Sequence, residues 1–589
     1  MSGITRYLIT TSDEITWKFD RPVLFLGEWC RLYDRKHIWK DMDAIVAAPY
    51  GLGKQKKETD YALARDLEKK LFPVLCNILN QFHNNQHNDR FWRIVLGHWF
   101  RRFIDVILNR VNTLELCLES YNINGTSAFT IDSHALAPMD SYAAIWAFND
   151  DRWNNALYIR ILNLLGVTNC PVEVISEAKS DHITNSIAAI EIPIKKKIRE
   201  LGYHTISQIT SMLAKADDAF IINSYLPRNE VIKFQLALGQ IPQLWSSPKF
   251  SPTKNPDLTL RKNLSVQIPE AKSSPLFGIM CSLIFELLPV CFLESFTELN
   301  RAIQQLPWPK KPKFIFTSNN FDTDEVFKCW TATKVESGSK YIIGQHGNNY
   351  GTYRYMWPSI EEKTSDKFLT WGWTDNLPQH TPAFILKTAG RKATYYDPKG
   401  GLLLVEVHMP HRINTWDETF EFENYFANQM LFINELESLP RRNLTIRLHR
   451  GYKYFKWNEE ARWREFDPTL KLETGTLHIE QVIKQSRLIV HSYDSTGILE
   501  TLSQNIPTLA FWQNDFDHLR DSSKPYYELL VDAGIVHLTH RSVAAKVNEV
   551  WNDVEGWWGQ NHVQEARSQF CNQYAKISNK PVRDLKELL

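Results

Sequence analysis

No Cys-x-x-Cys pair occurs in the chain, although it holds eight cysteines, and the closest two, Cys281 and Cys291, are ten positions apart. Zinc ribbons and thioredoxin-type motifs are therefore excluded, and scattered single thiols suit a reducing compartment. Charge of one sign is missing as well. Lys+Arg number 68 and Asp+Glu 67, a formal net charge of +1. Binding along a phosphate backbone draws on a basic excess, so no nucleic-acid partner is expected. The first twenty residues have no apolar core of the kind a secretory signal needs, which points to the cytoplasm. Long hydrophobic runs are scarce. One, residues 275–293 (PLFGIMCSLIFELLPVCFL), could barely span a bilayer, but Glu286 lies inside it and Pro289 interrupts it. A buried helix is the expected outcome. A peripheral face at the inner side of the cytoplasmic membrane is the other option. No GxGxxG, Walker A, GxSxG, HExxH or EF-hand pattern is present.

What is there is ordinary globular composition: 43% hydrophobic and 23% charged residues over 589 positions. That length accommodates two to four domains. Aromatics are plentiful, with 20 Trp, 22 Tyr and 31 Phe. Sugar rings stack on such side chains, but large cores also use them.

Strand and helix patterns alternate from residue 312 onward. KFIFT (313–317), residues 340–343 and residues 367–371 read as strands, followed by an interdomain crossing at 375–399. A second alternating block covers 400–555, with strands at 402–407, 444–448, 488–491, 507–511 and 535–538. Upstream, residues 60–80 and 88–110 carry helical spacing. Residues 22–26 (PVLFL) and 219–222 (AFII) read as strands, and 246–275 as a long exposed excursion. Repeated strand–helix units imply parallel sheets with functional loops at the strand C-termini. The expected fold is α/β, with two Rossmann-like domains facing a cleft (the GT-B architecture) and helical insertions in the first. The expected boundaries are 1–385, 395–556, and a helical tail, 557–589, crossing back to the first domain.

Three loops concentrate polar residues after apolar strands. Gln345-His346-Gly347-Asn348-Asn349 follows the first; His346 is an acid/base or phosphate-donor candidate there. His408, His411 and Arg412 follow another strand, and Arg447, His449 and Arg450 a third. If those two strands are neighbours, their basic groups converge and suit a pyrophosphate. In LIVHSYDSTGILETLSQNIPTLAFW, Asp494, Ser495 and Thr496 stand where a helix begins, a ready anion site. Glu500 follows within reach of a ribose or base. Each loop also has a plainer reading: a satisfied loop histidine, a solvated basic edge, a capped helix. Asp322-Thr323-Asp324 reads as a helix cap rather than a metal pair.

The last segment resembles the donor site of GT-B glycosyltransferases. It is similar to that of bacterial surface-polysaccharide transferases using CMP-sugars or CDP-glycerol. Gln345-His346-Gly347 and Arg447-Leu448-His449-Arg450 match their His-Gly and Lys/Arg-x-His-Pro loops, with Arg450 replacing the proline. Phe25-Leu26-Gly27-Glu28-Trp29-Cys30 and HWFRRFIDVILNR extend a likeness, over nearly the whole chain, to transferases of bacterial O-antigen loci. The resemblance implies a metal-independent glycosyltransferase of O-antigen or capsule biosynthesis with no resident cofactor. Its partners would be a nucleotide-sugar donor, CMP-linked in the leading version, and a saccharide or lipid-linked acceptor. Residues 408–412, 447–450 and 494–500 would hold the nucleotide. A general base must deprotonate the acceptor hydroxyl; Glu28 and His346 compete for that role, with Asp34 behind them. The alternatives are a CDP-polyol phosphotransferase, a UDP-sugar 2-epimerase-like enzyme and a non-catalytic assembly subunit.

Overall fold

The structure is a computed structural model that describes residues 4–51, 53–130, 136–175, 213–268, 274–391, 395–407 and 422–589. Three sheets form, and every strand pair in them is parallel.

The first sheet contains β1 (Arg6–Ile9), β2 (Val23–Phe25), β3 (Ala44–Val46), β4 (Ile123–Phe129) and β5 (Val172–Ile175), in the order β3-β2-β1-β4-β5. The second contains β6 (Phe220–Ile221), β7 (Phe314–Thr317), β8 (Lys340–Gly344), β9 (Lys367–Thr370) and β10 (His380–Pro382), side by side in chain order. The third contains β11 (Gly401–Val405), β12 (Leu444–Arg447), β13 (Lys471–Glu473), β14 (Ser486–His491), β15 (Thr508–Phe511) and β16 (Val536–His537). Its order is β13-β12-β11-β14-β15-β16. The chain direction across this sheet reverses between β11 and β14. In sheets of this kind the crevice at such a reversal, outside the strand C-termini, is the usual ligand position.

The GT-B expectation of parallel-sheet domains meeting at their strand C-termini holds for the second and third sheets. The stretch 1–385, expected as one Rossmann-like domain, carries two sheets: the strand at 22–26 belongs to a separate sheet, not to the one formed by residues 313–371. The strands missed upstream are short or polar-broken. Ile123–Phe129 (INGTSAF) shows no clean alternation, and Gly125 sits in it at φ +158°.

Two long helices fill the space between the first two sheets: α1 (Lys54–His83) and α2 (Asp89–Ser120). The second buries Phe91, Trp92, Trp99, Phe100, Phe103 and Ile107 along one flank. The apolar run at 275–293 is a buried helix, α3 (Pro275–Leu287), and Glu286 within it pairs with Arg160 at 3.1 Å. Among the described residues no helix is long and apolar enough to cross a membrane. Within 246–275 the described residues are mostly exposed, as expected. They carry a helix, Leu258–Ser265, whose Arg261 is 2% exposed and pairs with Glu294 at 2.7 Å.

Each of the three sheets with its helices is one domain, numbered as the sheets are, and in the second α4 (Glu325–Glu336) follows β7. Asp324, rather than Asp322 or Thr323, caps it by accepting from Phe327 N–H. The short helix α5 (Ile360–Thr364) starts with a capping box from Ser359 and Glu362. In the third domain α6 (Thr496–Ser503) follows β14. The chain ends in α7 (Asn561–Tyr574), with Phe570 edge-on to Tyr527, and α8 (Pro581–Leu588), whose Leu585 joins the second domain's core.

All three domains touch. Arg354 N–H donates to His518 O at 2.9 Å and Arg520 N–H to Thr352 O at 2.8 Å, a short antiparallel tie between the second and third. On the other flank, Lys36 pairs with Glu465 at 3.2 Å and Lys456 with Asp151 at 3.6 Å. There the loops after β2 and β12 bring the first domain onto the third.

Candidate functional site

The loop after β8 is built by its first residue. Gln345 is 1% exposed, and its carbonyl oxygen Oε1 accepts from Trp371 N–H at 2.9 Å and Trp373 Nε1–H at 2.8 Å. Its Nε2 donates to Gly347 O at 2.8 Å. A fully paired amide thus holds the turn rigid. Gly344 has no room for a side chain, since an added Cβ would lie 2.4 Å from Leu386 Cδ1 and 2.5 Å from Ser318 Oγ. Backbone conformations that cost energy gather here. Tyr225, after β6, has φ +63°, and Asn349 has φ +79°. A bulky residue at positive φ persists only where its surroundings enforce it, a condition that clusters at functional sites.

His346 projects from this turn among Tyr225, Phe321 and Tyr350, whose ring centroids lie 6.1, 5.7 and 5.3 Å away. Its Nδ1 lies 3.1 Å from Tyr350 Oη, and Tyr350 Oη–H donates to Glu361 on α5. Burial lowers the imidazole pKa, and the Glu361 and Asp322 carboxylates oppose that shift. The ring is therefore neutral near pH 7 and able to take a proton.

The neighbouring Asn348 reaches the third domain. Its backbone N–H donates to Thr496 Oγ1 at 2.9 Å and its Nδ2 to Asp494 Oδ1 at 2.8 Å. Asp494 also accepts from Tyr527 Oη (3.0 Å) and lies 3.1 Å from His518 Nε2. The His346 loop therefore sits directly on the N-terminus of α6, beside the β11/β14 crevice.

Each anticipated residue now has a place. Because β12, β11 and β14 are adjacent, the loops at 447–450 and 494–500 do share one sheet edge. Arg447 is turned inward: it pairs with Glu473, donates to Leu477 O at 2.9 Å, and burial lowers its pKa. His449 accepts from Gly451 N–H at 3.1 Å and has its pKa lowered by burial. Arg450 is exposed and makes no ion pair among the described residues. Ser495 caps α6, accepting from Ile498 N–H at 3.3 Å, so its hydroxyl already serves the helix. Thr496 and Asp494 are occupied by Asn348. Glu500 pairs with Lys387 at 2.6 Å, another link to the second domain. Glu28, after β2, is held by Arg31 at 2.6 Å; Asp34 lies in the next turn. His408, His411 and Arg412 lie outside the described residues.

Asp322 is not part of a metal pair: Arg102 grips it with two hydrogen bonds of 2.5 and 2.8 Å, holding it far below the usual carboxylate range. The residues that sequence reasoning missed are Tyr350, Glu361, His98 and Tyr527. Tyr350 lies on the His346 loop itself, four residues on, while Glu361, His98 and Tyr527 reach this region only through the packing of α5, α2 and the helix Lys524–Asp532.

No curated relative matches the sequence. Among solved structures, Acinetobacter baumannii MurG is 11% identical, covering 63% of this chain and 99% of its own, with a TM-score of 0.31. A co-structure of S. aureus MnaA with UDP is 11% identical, covering 78% and 93%, with a TM-score of 0.30. The wall teichoic acid polymerase TagF is 10% identical, covering 50% and 83%, with a TM-score of 0.27. Likeness this loose transfers neither a residue role nor a substrate. The family match is of another order: the LIC12162 family transferase model spans residues 6–589, and the chain belongs to that family of transferases.

Proposed function

We propose that the protein is a glycosyltransferase of bacterial surface-polysaccharide assembly, of the O-antigen or capsule type. It moves a sugar from a nucleotide-sugar, with a CMP-linked acidic sugar as the leading donor, to a saccharide or lipid-linked acceptor at the cytoplasmic side of the membrane. Residues 395–556 hold the nucleotide at the β11/β14 crevice. Residues 1–385 present the acceptor, and the tail 557–589 ties the two sides together.

The observation that supports this reading is the contact of the His346 loop with the N-terminus of α6. It sets a neutral imidazole beside the turn that opens α6, where the positive end of the helix would face a phosphate. His346 Nε2 takes the acceptor hydroxyl proton as the oxygen attacks the anomeric carbon. The bond from that carbon to the phosphate oxygen breaks, and the nucleotide leaves with the electron pair. Arg450 and the helix N-terminus stabilise the departing charge, which on this reading makes a resident metal unnecessary.

Calorimetric titration of the full chain with CMP, CDP, UDP, GDP and dTDP tests it. One nucleotide is expected to bind in the micromolar range or tighter. Absence of binding by every nucleotide and nucleotide-sugar would remove the reading. Mass analysis of products then fixes the reaction: a phosphodiester with CMP would mean polyol-phosphate transfer, and free sugar product without acceptor would mean epimerisation.

A further inference from the structure

Behind His346 lies a chain of polar groups in an otherwise apolar setting. Tyr350 is 4% exposed and Glu361 is 4% exposed. Glu361 Oε1 accepts from Tyr350 Oη–H, and its Oε2 lies 3.6 Å from His98 Nε2. His98 Nδ1 lies 4.0 Å from Asp322 Oδ1, and Arg102 clamps Asp322. His98 and Arg102 are four residues apart on α2 and so share one helix face. They belong to the HWFRRF segment, whose part in a transferase its sequence does not explain. Burial pushes the His98 pKa down to about 4, so this second imidazole is neutral and adds no charge next to Glu361.

The hydrogen-bond directions are decided by chemistry. Glu361 as a carboxylate only accepts, so Tyr350 must spend its single proton on it. Tyr350 Oη can then only accept from His346 Nδ1, which must carry the hydrogen. The other ring nitrogen, Nε2, is left with its lone pair and has no protein partner among the described residues. Wherever a histidine acts as a base, which nitrogen bears the proton is set by what the other one bonds.

We propose that Tyr350 and Glu361 are positioning residues for His346, fixing its Nδ1–H tautomer and supporting the imidazolium that forms when Nε2 takes a proton. The inference rests on the reading of His346 as the base. It deepens that reading by naming what aims the base. The charged and titratable groups facing His346 are Tyr225 from the loop after β6, Asp322 from the loop after β7, Tyr350 on its own loop and Glu361 on α5. His98 and Arg102 stand behind them on α2. Of these, Glu361 and Asp322 raise the imidazole pKa against the effect of burial. Asp322 is already neutralised by Arg102, so Glu361 is the group whose loss the ring would feel.

Two measurements on the full chain test this. Nitrogen NMR of histidine-labelled protein, with His346→Gln to assign the signal, reads the tautomer without any substrate. The wild type is expected to show Nδ1–H, and Tyr350→Phe and Glu361→Gln are expected to lose that preference. In steady-state assays the same variants are expected to lower kcat by about 10- to 100-fold with donor KM unchanged. The acid limb of the rate profile moves to lower pH in Glu361→Gln, and Glu361→Asp restores part of the rate. A wild-type ring in the Nε2–H form, or a tautomer indifferent to both substitutions, would overturn the proposal. A tautomer that responds as described in a protein with no transfer activity would instead overturn the functional reading and leave the positioning geometry standing.

Discussion

Asn348 donates its side-chain amide to Asp494 Oδ1 at 2.8 Å, although 146 positions separate the two in the chain. That bond joins the turn carrying His346 to the turn that opens α6. His518 and Tyr527 converge on the same carboxylate. The proposed base and the proposed phosphate site are thus tied through one carboxylate.

Asp494→Ala is expected to leave Asn348, His518 and Tyr527 without their acceptor. Each is partly or fully buried, and stranded donors of this kind cost about 1–3 kcal/mol in total when water reaches some of them. Urea denaturation should show that loss. Titration should show weaker nucleotide binding as well, because α6 is no longer anchored. Unchanged stability would mean that the carboxylate is not the clamp.

His346→Gln removes the imidazole but keeps a polar side chain of similar reach. General-base loss is expected to lower kcat by about 10²- to 10⁴-fold, with nucleotide affinity kept. Since burial lowers the His346 pKa below its ordinary 6.5, the base is already deprotonated at neutral pH. The acid limb of the wild-type rate profile should lie at lower pH than an ordinary imidazole would give. Glu28→Gln breaks a pair with Arg31 and little else, so its turnover should stay close to wild type.

Much of this was legible in the chain itself, and the reasons are particular. β8, β9, β11, β12, β14 and β15 have apolar cores and are followed by polar or glycine-containing loops, so both the strands and the loops after them stand out. The convergence of 447–450 with 494–500 followed from strand adjacency. The first sheet was hidden because β3 and β5 are short edge strands with exposed positions, and a helical pattern occupies the sequence between β3 and β4. Arg447 illustrates a different limit. Spacing marks it as a cation at a strand end, but whether a cation faces ligand or a carboxylate depends on Glu473, a residue on the next strand that only pairing order brings alongside.

That difference separates two arginines three residues apart. Arg450→Ala removes an exposed guanidinium with no ion pair among the described residues and is expected to weaken nucleotide binding about tenfold, the scale of one charge-assisted contact, with no change in melting temperature. Arg447→Ala is expected to act on stability. Glu473 would keep its bonds from Thr476 and Leu477 N–H but lose its cation in a buried setting. A denaturation midpoint that falls for Arg447→Ala and holds for Arg450→Ala is the expected pattern; the reverse would assign the phosphate to Arg447.

Glu406 closes β11 at the crevice and is 5% exposed, with Trp463 Nε1–H donating to it at 3.0 Å. Burial, with the nearby Glu459 adding to it, raises its pKa from the ordinary 4.5 to about 8. Below pH 4.5 the carboxyl is protonated in both folded and unfolded chains and has no effect on the balance. Between pH 4.5 and 8 the unfolded chain has lost this proton and the folded chain keeps it, so stability declines as pH rises across that window. Glutamine has the same shape and can still accept from Trp463, but it has no proton to retain. Glu406→Gln should therefore match the wild type near pH 4.5 and exceed it at pH 8 by about 2–4 kcal/mol. Urea denaturation at the two pH values measures the difference. Equal gains at both would show that Glu406 is ionised in the folded protein and that something other than burial governs it.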